Sequence, residues 1–278
     1  MYKITLKKQL SKDIKLMGIE AEHVVKNARA GNFVIVIPHE NGERIPLTIY
    51  DWDKKTNVVY IIFQEVGVTT AKLGMLNAGD SIYSIAGPLG RHFHVEKYGN
   101  VAIVGGGVGV PAIFPIARAL KDAGNNVTSI MGFRTKDLIL LEKEMESVSN
   151  KLLTATNDGS QGQKGLVTDV LLGMINSGTK IDLCVAVGPV IMMKAVSDLT
   201  KNYNIKTIVS LNALMMDGTG MCGGCRVTIG GKTKFSCVDG PDFDGHQVDF
   251  AELTSRLGTF KEEEKISLHH CKIQLVGR

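Results

Sequence analysis

Three of the five cysteines lie in a short glycine-rich stretch, Met215 to Cys237, which reads MMDGTGMCGGCRVTIGGKTKFSC. Cys222 and Cys225 form a C-x-x-C pair, and Cys237 follows after eleven intervening residues. A lone C-x-x-C pair is compatible with zinc, with a redox disulfide or with no site at all. The third cysteine favours a tetrahedral metal or cluster site, in which Asp217 is the nearest anionic candidate for the fourth ligand. The backbone can fold tightly around a small ligand at the glycines of this loop, Gly218, Gly220, Gly223 and Gly224.

A glycine pattern typical of nucleotide-binding loops occurs in the segment GGGVGVPA, between an apolar strand and an amphipathic helix. Gly107-x-Gly109-x-x-Ala112, preceded by Gly106, matches the dinucleotide pattern, whose glycines let a phosphate approach the helix N-terminus. The acidic residue that would hold a ribose about twenty residues further on is missing, because the next strand ends at Arg134. The sequence therefore predicts a nucleotide site unlike that of an ordinary Rossmann dehydrogenase.

Two further loops follow strands of the same predicted sheet. Asp158 and Gly159 lie at the end of the β-rich segment KLLTATND, and Gly188 and Pro189 lie at the end of DLCVAVGP. Ligands of open parallel sheets bind at the carboxyl ends of the strands. We therefore expect both loops to lie at the same site as the glycine pattern.

A second group of anion-binding candidates occurs earlier in the chain. In the segment RIPLT, Arg44 begins a predicted strand and Thr48 lies on the same face. In GVTT, the residues Gly67 and Thr69-Thr70 open a predicted short helix. Both segments suit an anionic ligand such as a pyrophosphate. Local sequence alone favours a simpler interpretation, a surface arginine and a threonine that caps a helix.

Composition excludes several functional classes. The chain has 278 residues, of which 44% are hydrophobic and 22% charged, and its formal net charge is +4. Its basic residues are scattered, so nothing favours nucleic acid or a membrane surface. The N-terminus lacks the apolar core of a signal peptide, which predicts a cytoplasmic protein with reduced or metal-bound cysteines. Cys184, in an apolar strand, is predicted to be core, and Cys271 is predicted to be a spare thiol.

The order of predicted elements gives a multidomain fold. Residues 1–98 contain short β-rich segments separated by turns, which predicts an antiparallel barrel or sandwich. Residues 99–211 alternate apolar strands with amphipathic helices, which predicts an α/β domain with a parallel sheet. Residues 212–278 contain the cysteine loop and the C-terminal tail.

The two halves together resemble the ferredoxin-NADP reductase superfamily. The resemblance rests on R-x-P-L-T and G-x-T-T in the barrel, followed by GGGVGVPA, GFRTKD, TNDGSxGxxG and VGP. In that superfamily the barrel holds FAD and the second domain holds a pyridine nucleotide. The FAD contacts that it implies are Arg44, Pro46, Leu47, Thr48, Gln64, Gly67, Thr69 and Thr70. The nucleotide contacts that it implies are Gly106, Gly107, Gly109, Arg134, Asp158, Gly188 and Pro189.

The cysteine loop narrows the resemblance. It is similar to that of dihydroorotate dehydrogenase electron-transfer subunits, but Asp217 stands where those have a cysteine. MMDGTGMCGGC more closely resembles the small subunits of NADH-dependent reduced ferredoxin:NADP oxidoreductases, also known as sulfide dehydrogenase small subunits. This resemblance implies a 2Fe-2S cluster in residues 212–278, with Asp217, Cys222, Cys225 and Cys237 as ligands.

The resemblance also implies a function. The chain would exchange hydride with NADH at FAD and pass single electrons through the cluster to a larger flavin and iron-sulfur subunit, where NADP and ferredoxin react. No residue is predicted as a general acid, base or nucleophile, and none is needed for hydride transfer. Arg134 and Lys136 could favour NADP(H), yet the resemblance favours NAD(H). Two alternatives remain: a subunit of a dihydroorotate dehydrogenase, and a non-enzymatic module stabilised by zinc.

Overall fold

The N-terminal part of the chain forms one curled antiparallel sheet. A computed structural model describes the backbone of residues 1–276 and the side chains of residues 1–269, so that Cys271 lies outside the described side chains. The seven strands are β1 (Tyr2–Ser11), β2 (Ile14–Glu20), β3 (Phe33–Ile37), β4 (Ile45–Asp53), β5 (Val58–Gln64), β6 (Ser81–Ile82) and β7 (Ser84–Leu89). They are ordered β6-β1-β2-β5-β4-β3-β7. Because β6 and β7 are the two edges yet only Tyr83 separates them in sequence, the sheet must curl into a half-barrel. Two helices accompany it, α1 (Glu22–Asn27) and α2 (Val68–Met75).

The middle of the chain forms a parallel sheet flanked by helices. Its strands are β8 (Asn100–Gly106), β9 (Asn126–Phe133), β10 (Lys151–Thr156), β11 (Gln163–Lys164), β12 (Leu183–Val187) and β13 (Thr207–Ser210). Its helices are α3 (Val110–Asp122), α4 (Glu142–Ser147), α5 (Val167–Asn176) and α6 (Val190–Asn202). The order β11-β10-β9-β8-β12-β13 places β9 and β12 on opposite sides of β8. The strand order therefore reverses at β8, and such a switch point opens a crevice at the carboxyl ends of the strands.

The C-terminal part is joined to this second sheet. Strands β14 (Arg226–Ile229) and β15 (Lys232–Phe235) form an antiparallel hairpin. Strand β16 (Asp242–Asp244) then pairs antiparallel with β13 and becomes the edge of the second sheet. Helices α7 (Phe250–Leu257) and α8 (Lys261–Val276) complete the described chain. The predicted domain limits, 98/99 and 211/212, fall in the connections that follow β7 and β13.

One apolar cluster joins all three parts of the chain. It contains Phe33 of β3, Val104 of β8, and Met215, Cys225 and Cys237 of the cysteine segment, all buried. Burying side chains of this size stabilises the fold by roughly 1.5 to 3 kcal/mol each. The shared core therefore fixes the cysteine segment against both sheets. No helix within residues 1–276 is long and apolar enough to cross a membrane.

Candidate functional site

The glycine pattern lies in the crevice at the switch point. A short 3-10 turn, Gly107–Gly109, connects the end of β8 to the start of α3. Gly107 has φ +53°, a conformation that favours glycine, and a Cβ at this position would meet nothing within 4 Å. The backbone at the start of α3 is therefore bare toward the crevice. This arrangement suits the close approach of a phosphate to a helix N-terminus.

The loop after β12 packs directly on this turn. A Cβ on Gly109 would lie 2.2 Å from the carbonyl oxygen of Val187, and one on Gly106 would lie 3.1 Å from Pro189 Cδ. A Cβ on Gly188 would lie 3.1 Å from the backbone nitrogen of Gly106. The structure thus brings the predicted residues of both loops into contact. Glycine is required at positions 109 and 188 because backbone atoms occupy the space that a side chain would fill.

Arg134 and Asp158 follow β9 and β10 at the same edge of the sheet. The Asp158 N–H donates to the Arg134 carbonyl oxygen at 3.3 Å, which holds the two loops together. The hydroxyl and N–H of Ser160 donate to Asp158 Oδ1 at 2.6 and 3.0 Å and hold the pKa of that carboxyl below its usual value. The Arg134 side chain is exposed, and no hydrogen bond or ion pair holds its guanidinium within the described part of the chain. It is available to an anion.

The two barrel motifs also meet. Arg44 immediately precedes β4, is exposed, and its guanidinium has no hydrogen bond or ion pair among the described residues. The Thr69 hydroxyl donates to Glu43 Oε2 at 2.5 Å, so the start of β4 lies beside the start of α2. Pro46, Leu47 and Thr48 are half-buried on β4 and face Ile35, Val34 and Phe33 of β3.

The start of α2 is organised by Thr70. Its hydroxyl oxygen accepts from the N–H groups of Val66 and Gly67 at 3.1 and 3.0 Å and so holds the turn that precedes the helix. The first N–H groups of any helix lack intrahelical partners and can bind an anion. Gln64, at the end of β5, donates through Nε2 to Asp13 Oδ2 at 2.5 Å. A free guanidinium beside a helix N-terminus fits a diphosphate, so these residues fit FAD.

Cys225 and Cys237 form the buried half of the cysteine site. Their Sγ atoms are 3.1 Å apart, well beyond a disulfide bond, and both thiols are free. The Cys237 N–H donates to Cys225 Sγ at 3.4 Å. Burial and the neighbouring Cys225 thiol raise the pKa of Cys237 to about 12. Binding iron would release these thiol protons, because thiolates are the ligands.

Asp217 and Cys222 form the exposed half of the same loop. Asp217 Oδ2 accepts from the Cys222 N–H at 2.7 Å, and Oδ1 accepts from the Thr219 hydroxyl at 3.1 Å and from its N–H. These bonds, with those of Thr219 first, lower the pKa of Asp217 to about 2. The Gly224 N–H donates to Cys222 Sγ at 3.3 Å. The carboxylate is therefore ionised and lies next to the cysteine pair in the loop.

The residues present fit an iron-sulfur cluster. Three free thiols lie in one loop and hairpin, and backbone N–H groups reach two of their sulfur atoms. Hydrogen bonds of this kind tune the reduction potential of an iron-sulfur cluster. Among the described side chains, no three metal-ligating groups already stand at metal-binding distances. The exposed half of the loop would have to close over a bound cluster, which its glycines permit: Gly218, Gly220 and Gly223 all have positive φ.

The cysteine loop rests on the barrel. A Cβ on Gly218 would lie 2.8 Å from Ile35 Cγ1 and 3.0 Å from Leu89 Cδ1, so glycine is needed where the loop crosses β3 and β7. Ile35 pairs with Pro46 of the R-x-P-L-T segment. Asp217 therefore lies within a few residues of the strand that is predicted to hold the flavin.

Two features of this region were not predicted from the sequence. Both carboxylate oxygens of Asp242 are buried and have no hydrogen-bond partner among the described residues, and burial raises its pKa to about 7. A Cβ on Gly31 would lie 3.2 Å from Asp242 Oδ2, which places this carboxylate against the barrel. Arg118 of α3 bonds to Asp51 of β4 across the two sheets. The only signal for Arg118 was a charge in the otherwise apolar helix segment PAIFPIARAL.

Comparison with known proteins agrees with this geometry. The iron-sulfur cluster binding domain of dihydroorotate dehydrogenase B matches residues 212–249, and the oxidoreductase NAD-binding domain matches residues 103–198. The dihydroorotate dehydrogenase B (NAD+) electron transfer subunit homolog of Thermotoga maritima is 46% identical, covering 95% of this chain and 93% of the relative. The dihydroorotate dehydrogenase B (NAD+) electron transfer subunit of Geobacillus thermodenitrificans is 32% identical, covering 84% of this chain and 91% of the relative. The chain belongs to the family of dihydroorotate dehydrogenase B electron-transfer subunits and their homologues.

Two solved structures are also similar to this chain. A structure of an NADH-dependent reduced ferredoxin-NADP oxidoreductase, a protein described for flavin-based electron bifurcation, is 45% identical with a TM-score of 0.93 and covers 97% of each chain. Phthalate dioxygenase reductase, at 16% identity and a TM-score of 0.58 over 82% and 85% of the two chains, shares the fold. The predicted family, multidomain fold, enzyme class and cofactor classes are confirmed. The chain is an electron-transfer subunit of an oxidoreductase, and its cofactor classes are FAD, an iron-sulfur cluster and a nicotinamide dinucleotide.

Proposed function

We propose that this chain is the small, cytoplasmic subunit of a ferredoxin:NADP oxidoreductase of the electron-bifurcating type. It exchanges hydride with NADH at FAD and passes single electrons through a 2Fe-2S cluster to a larger subunit that carries flavin and iron-sulfur clusters. NADP and ferredoxin react on that larger subunit. The two chains form a heterodimer.

The packing of the cysteine loop on the barrel is the observation that supports this proposal most directly. A Cβ on Gly218 would lie 2.8 Å from Ile35 Cγ1 and 3.0 Å from Leu89 Cδ1, while Met215, Cys225 and Cys237 share one apolar cluster with Phe33. When bound, FAD converts the two-electron exchange with NADH into one-electron steps, and the cluster carries one electron at a time. The shared core would hold the residues that bind the two groups in one fixed arrangement.

The protein's own residues position and tune these groups. In the barrel, Arg44 and the start of α2 hold the FAD diphosphate, because a planar guanidinium and backbone N–H groups suit that anion. In the crevice, Gly107 and Gly109 let the NADH pyrophosphate reach the start of α3. Val104 and the buried strand around it exclude water from beneath the site.

Asp217 is proposed as the fourth ligand of the cluster. It is ionised, it bonds to the N–H of Cys222, and its glycine neighbours allow the loop to turn it inward. An oxygen donor is harder than a thiolate and changes the potential of the cluster. Asp217→Cys should keep a 2Fe-2S spectrum with altered EPR g-values, and Asp217→Ala should weaken or lose the cluster. If both variants keep the parent signal and midpoint potential, Asp217 is not a ligand.

The exposed face of the cysteine loop is proposed as the contact with the larger subunit. Met221 is 88% exposed, and Met216 and Val238 are also exposed beside the exposed Cys222. A Cβ on Gly220 would lie 2.5 Å from Val238 Cγ2, and one on Gly224 would lie 3.6 Å from Met216 Cγ, so both of these apolar side chains flank the loop. Apolar side chains exposed together around a redox site are typical of a docking surface.

NADH is proposed as the nucleotide, although Arg134 and Lys136 are exposed at the end of β9 and could meet a 2′-phosphate. The test is anaerobic bleaching of the bound flavin by NADH and by NADPH at matched concentrations. Faster bleaching by NADH is expected. A clear preference for NADPH would overturn this assignment.

A second candidate is the electron-transfer subunit of a dihydroorotate dehydrogenase, which the match of residues 212–249 favours. Co-expression with the product of the neighbouring gene separates the two candidates. A complex with a glutamate-synthase-like flavoprotein that reduces ferredoxin and NADP supports the first. A complex with a TIM-barrel enzyme that oxidises dihydroorotate supports the second.

A further inference from the structure

The barrel and the nucleotide domain are joined by a compact polar and aromatic contact. Three consecutive residues of β4, Tyr50, Asp51 and Trp52, meet Phe114 and Arg118, which lie one turn apart on α3. Arg118 Nη2 donates to Asp51 Oδ1 at 2.7 Å. The guanidinium carbon is 5.5 Å from the Trp52 ring centroid and 5.3 Å from that of Phe114. The Tyr50 and Phe114 ring centroids are 4.9 Å apart.

This contact differs from an ordinary surface ion pair. The Arg118 and Asp51 side chains are only 33% and 31% exposed, and two aromatic rings confine the guanidinium. The register between β4 and β5 shifts between Ile49 and Asp51, which is a β-bulge. A bulge redirects side chains, so neighbouring residues of β4 can all reach α3. Arginine is suited to this position because its planar group both stacks on rings and bonds to a carboxylate.

The contact lies on β4, which is proposed to bind the flavin, and on α3, whose start is proposed to bind the nucleotide. Thr48 is three residues before Asp51 on β4, a distance of about 10 Å along a strand. Gly109 is nine residues before Arg118, a distance of about 14 Å along a helix. A rotation of about 5° at the contact would move either end by about 1 Å, and a displacement of about 1 Å can reduce a rate about 100-fold.

We infer that Arg118 is a positioning residue, which fixes the flavin-binding strand β4 relative to the nucleotide-binding turn at the start of α3. The inference rests on the proposed exchange of hydride between NADH and FAD within this chain. Arg118 touches neither ligand. It acts through Asp51 and Trp52 on one side and through its own helix on the other.

The experiment compares Arg118→Ala, Arg118→Lys and Asp51→Asn with the parent in anaerobic stopped-flow bleaching of the flavin over a range of NADH concentrations. The limiting rate of Arg118→Ala should fall about tenfold or more, while the half-saturating NADH concentration changes by less than about threefold. Arg118→Lys keeps the charge but loses the planar group, so its rate should be intermediate. Combining Arg118→Ala with Asp51→Asn should slow the reaction no further than the worse single change, because the two groups act as one unit.

Two controls make the result specific. Lys194→Ala removes an exposed ion pair to Asp198 on α6 and should leave the limiting rate unchanged. Amide hydrogen exchange of the flavin-loaded protein supplies a second readout, in which Arg118→Ala should exchange faster in β4 and α3 and Lys194→Ala should not.

Each failure has a separate meaning. If NADH does not bleach the flavin of the parent chain, the proposed function is wrong. If the parent and Arg118→Ala share the same limiting rate, or if the variant only unfolds at lower temperature, the positioning role is wrong and the proposed function stands. Should Arg118→Ala fail to retain flavin, parent-like limiting rates in both Arg118→Lys and Asp51→Asn would likewise overturn the role.

Discussion

Asp242 should make the stability of this protein fall as the pH rises. Its carboxylate is buried between β16 and the barrel, and burial raises its pKa from 3.8 to about 7. The Ser210 hydroxyl, across the β13–β16 pair, opposes this rise without reaching hydrogen-bonding geometry. The folded protein therefore holds a proton that the unfolded chain has already released. Such a group leaves the free energy of unfolding unchanged below its unfolded pKa, and it lowers that free energy progressively as the pH rises toward its folded pKa.

The magnitude follows from the two pKa values. Ionisation of Asp242 in the folded state costs about 4 kcal/mol in full, since each pKa unit corresponds to about 1.4 kcal/mol. Of this cost, about 2 to 3 kcal/mol develops between about pH 5 and pH 8, which corresponds to about 5 to 10 °C in unfolding temperature. Asp242→Asn removes the ionisation and should show a flatter pH profile over the same range.

The assay is the unfolding temperature of the parent and Asp242→Asn from pH 5 to pH 8, in the same cofactor state. The parent should lose stability relative to the variant as the pH rises. Asp198→Asn, which replaces an exposed carboxylate on α6, is the matched control and should follow the parent. Parallel curves for Asp242→Asn and the parent would show that Asp242 is not held protonated by burial.

Three more changes give separate outcomes. Gly109→Ala places a Cβ within 2.2 Å of the Val187 carbonyl oxygen, so it should destabilise the fold by about 1 to 3 kcal/mol and weaken NADH binding. Gly173→Ala lies in open space within α5 and should stabilise the fold by about 0.5 to 1 kcal/mol. Thermal unfolding measures the stability of both variants, and NADH titration measures their binding. Arg44→Ala removes a charge-assisted bond to the diphosphate and should weaken FAD binding about 10- to 100-fold, and full flavin retention through gel filtration would contradict this. Cys225→Ser should lose the cluster, because it replaces a buried thiolate ligand, and unchanged iron content would exclude Cys225 as a ligand.

Much of the fold follows from local patterns in the sequence. The apolar strands β8 and β12, each followed by a glycine turn and an amphipathic helix, predict a parallel sheet with its ligand loops at one edge. The close packing of Gly109 on Val187 agrees with that expectation. The short strand β16 could not be predicted, because three residues carry too little pattern to indicate a partner. Its pairing with β13 depends on the path of the whole cysteine segment.

The candidate site divides in the same way. Spacing alone placed Cys222, Cys225 and Cys237 together and made Asp217 the nearest candidate for a fourth ligand, and the resemblance implied the same four residues. Neither source could indicate that Asp217 accepts from the Cys222 N–H, because that bond depends on the conformation of the loop. The contact between Asp51 and Arg118 joins residues 67 positions apart and depends on how two domains pack, which no local pattern records.

In the proposed function, one chain converts hydride exchange with NADH into single-electron transfer through a 2Fe-2S cluster. The most direct measurement is an anaerobic NADH titration of the purified chain, followed by visible absorbance and low-temperature EPR, with metal and sulfide analysis of the same sample. We expect one bound FAD per chain, iron and acid-labile sulfide in a one-to-one ratio, bleaching of the flavin by NADH, and the EPR signal of a reduced 2Fe-2S cluster. Zinc in place of iron, or a bleached flavin with no cluster signal, would contradict it.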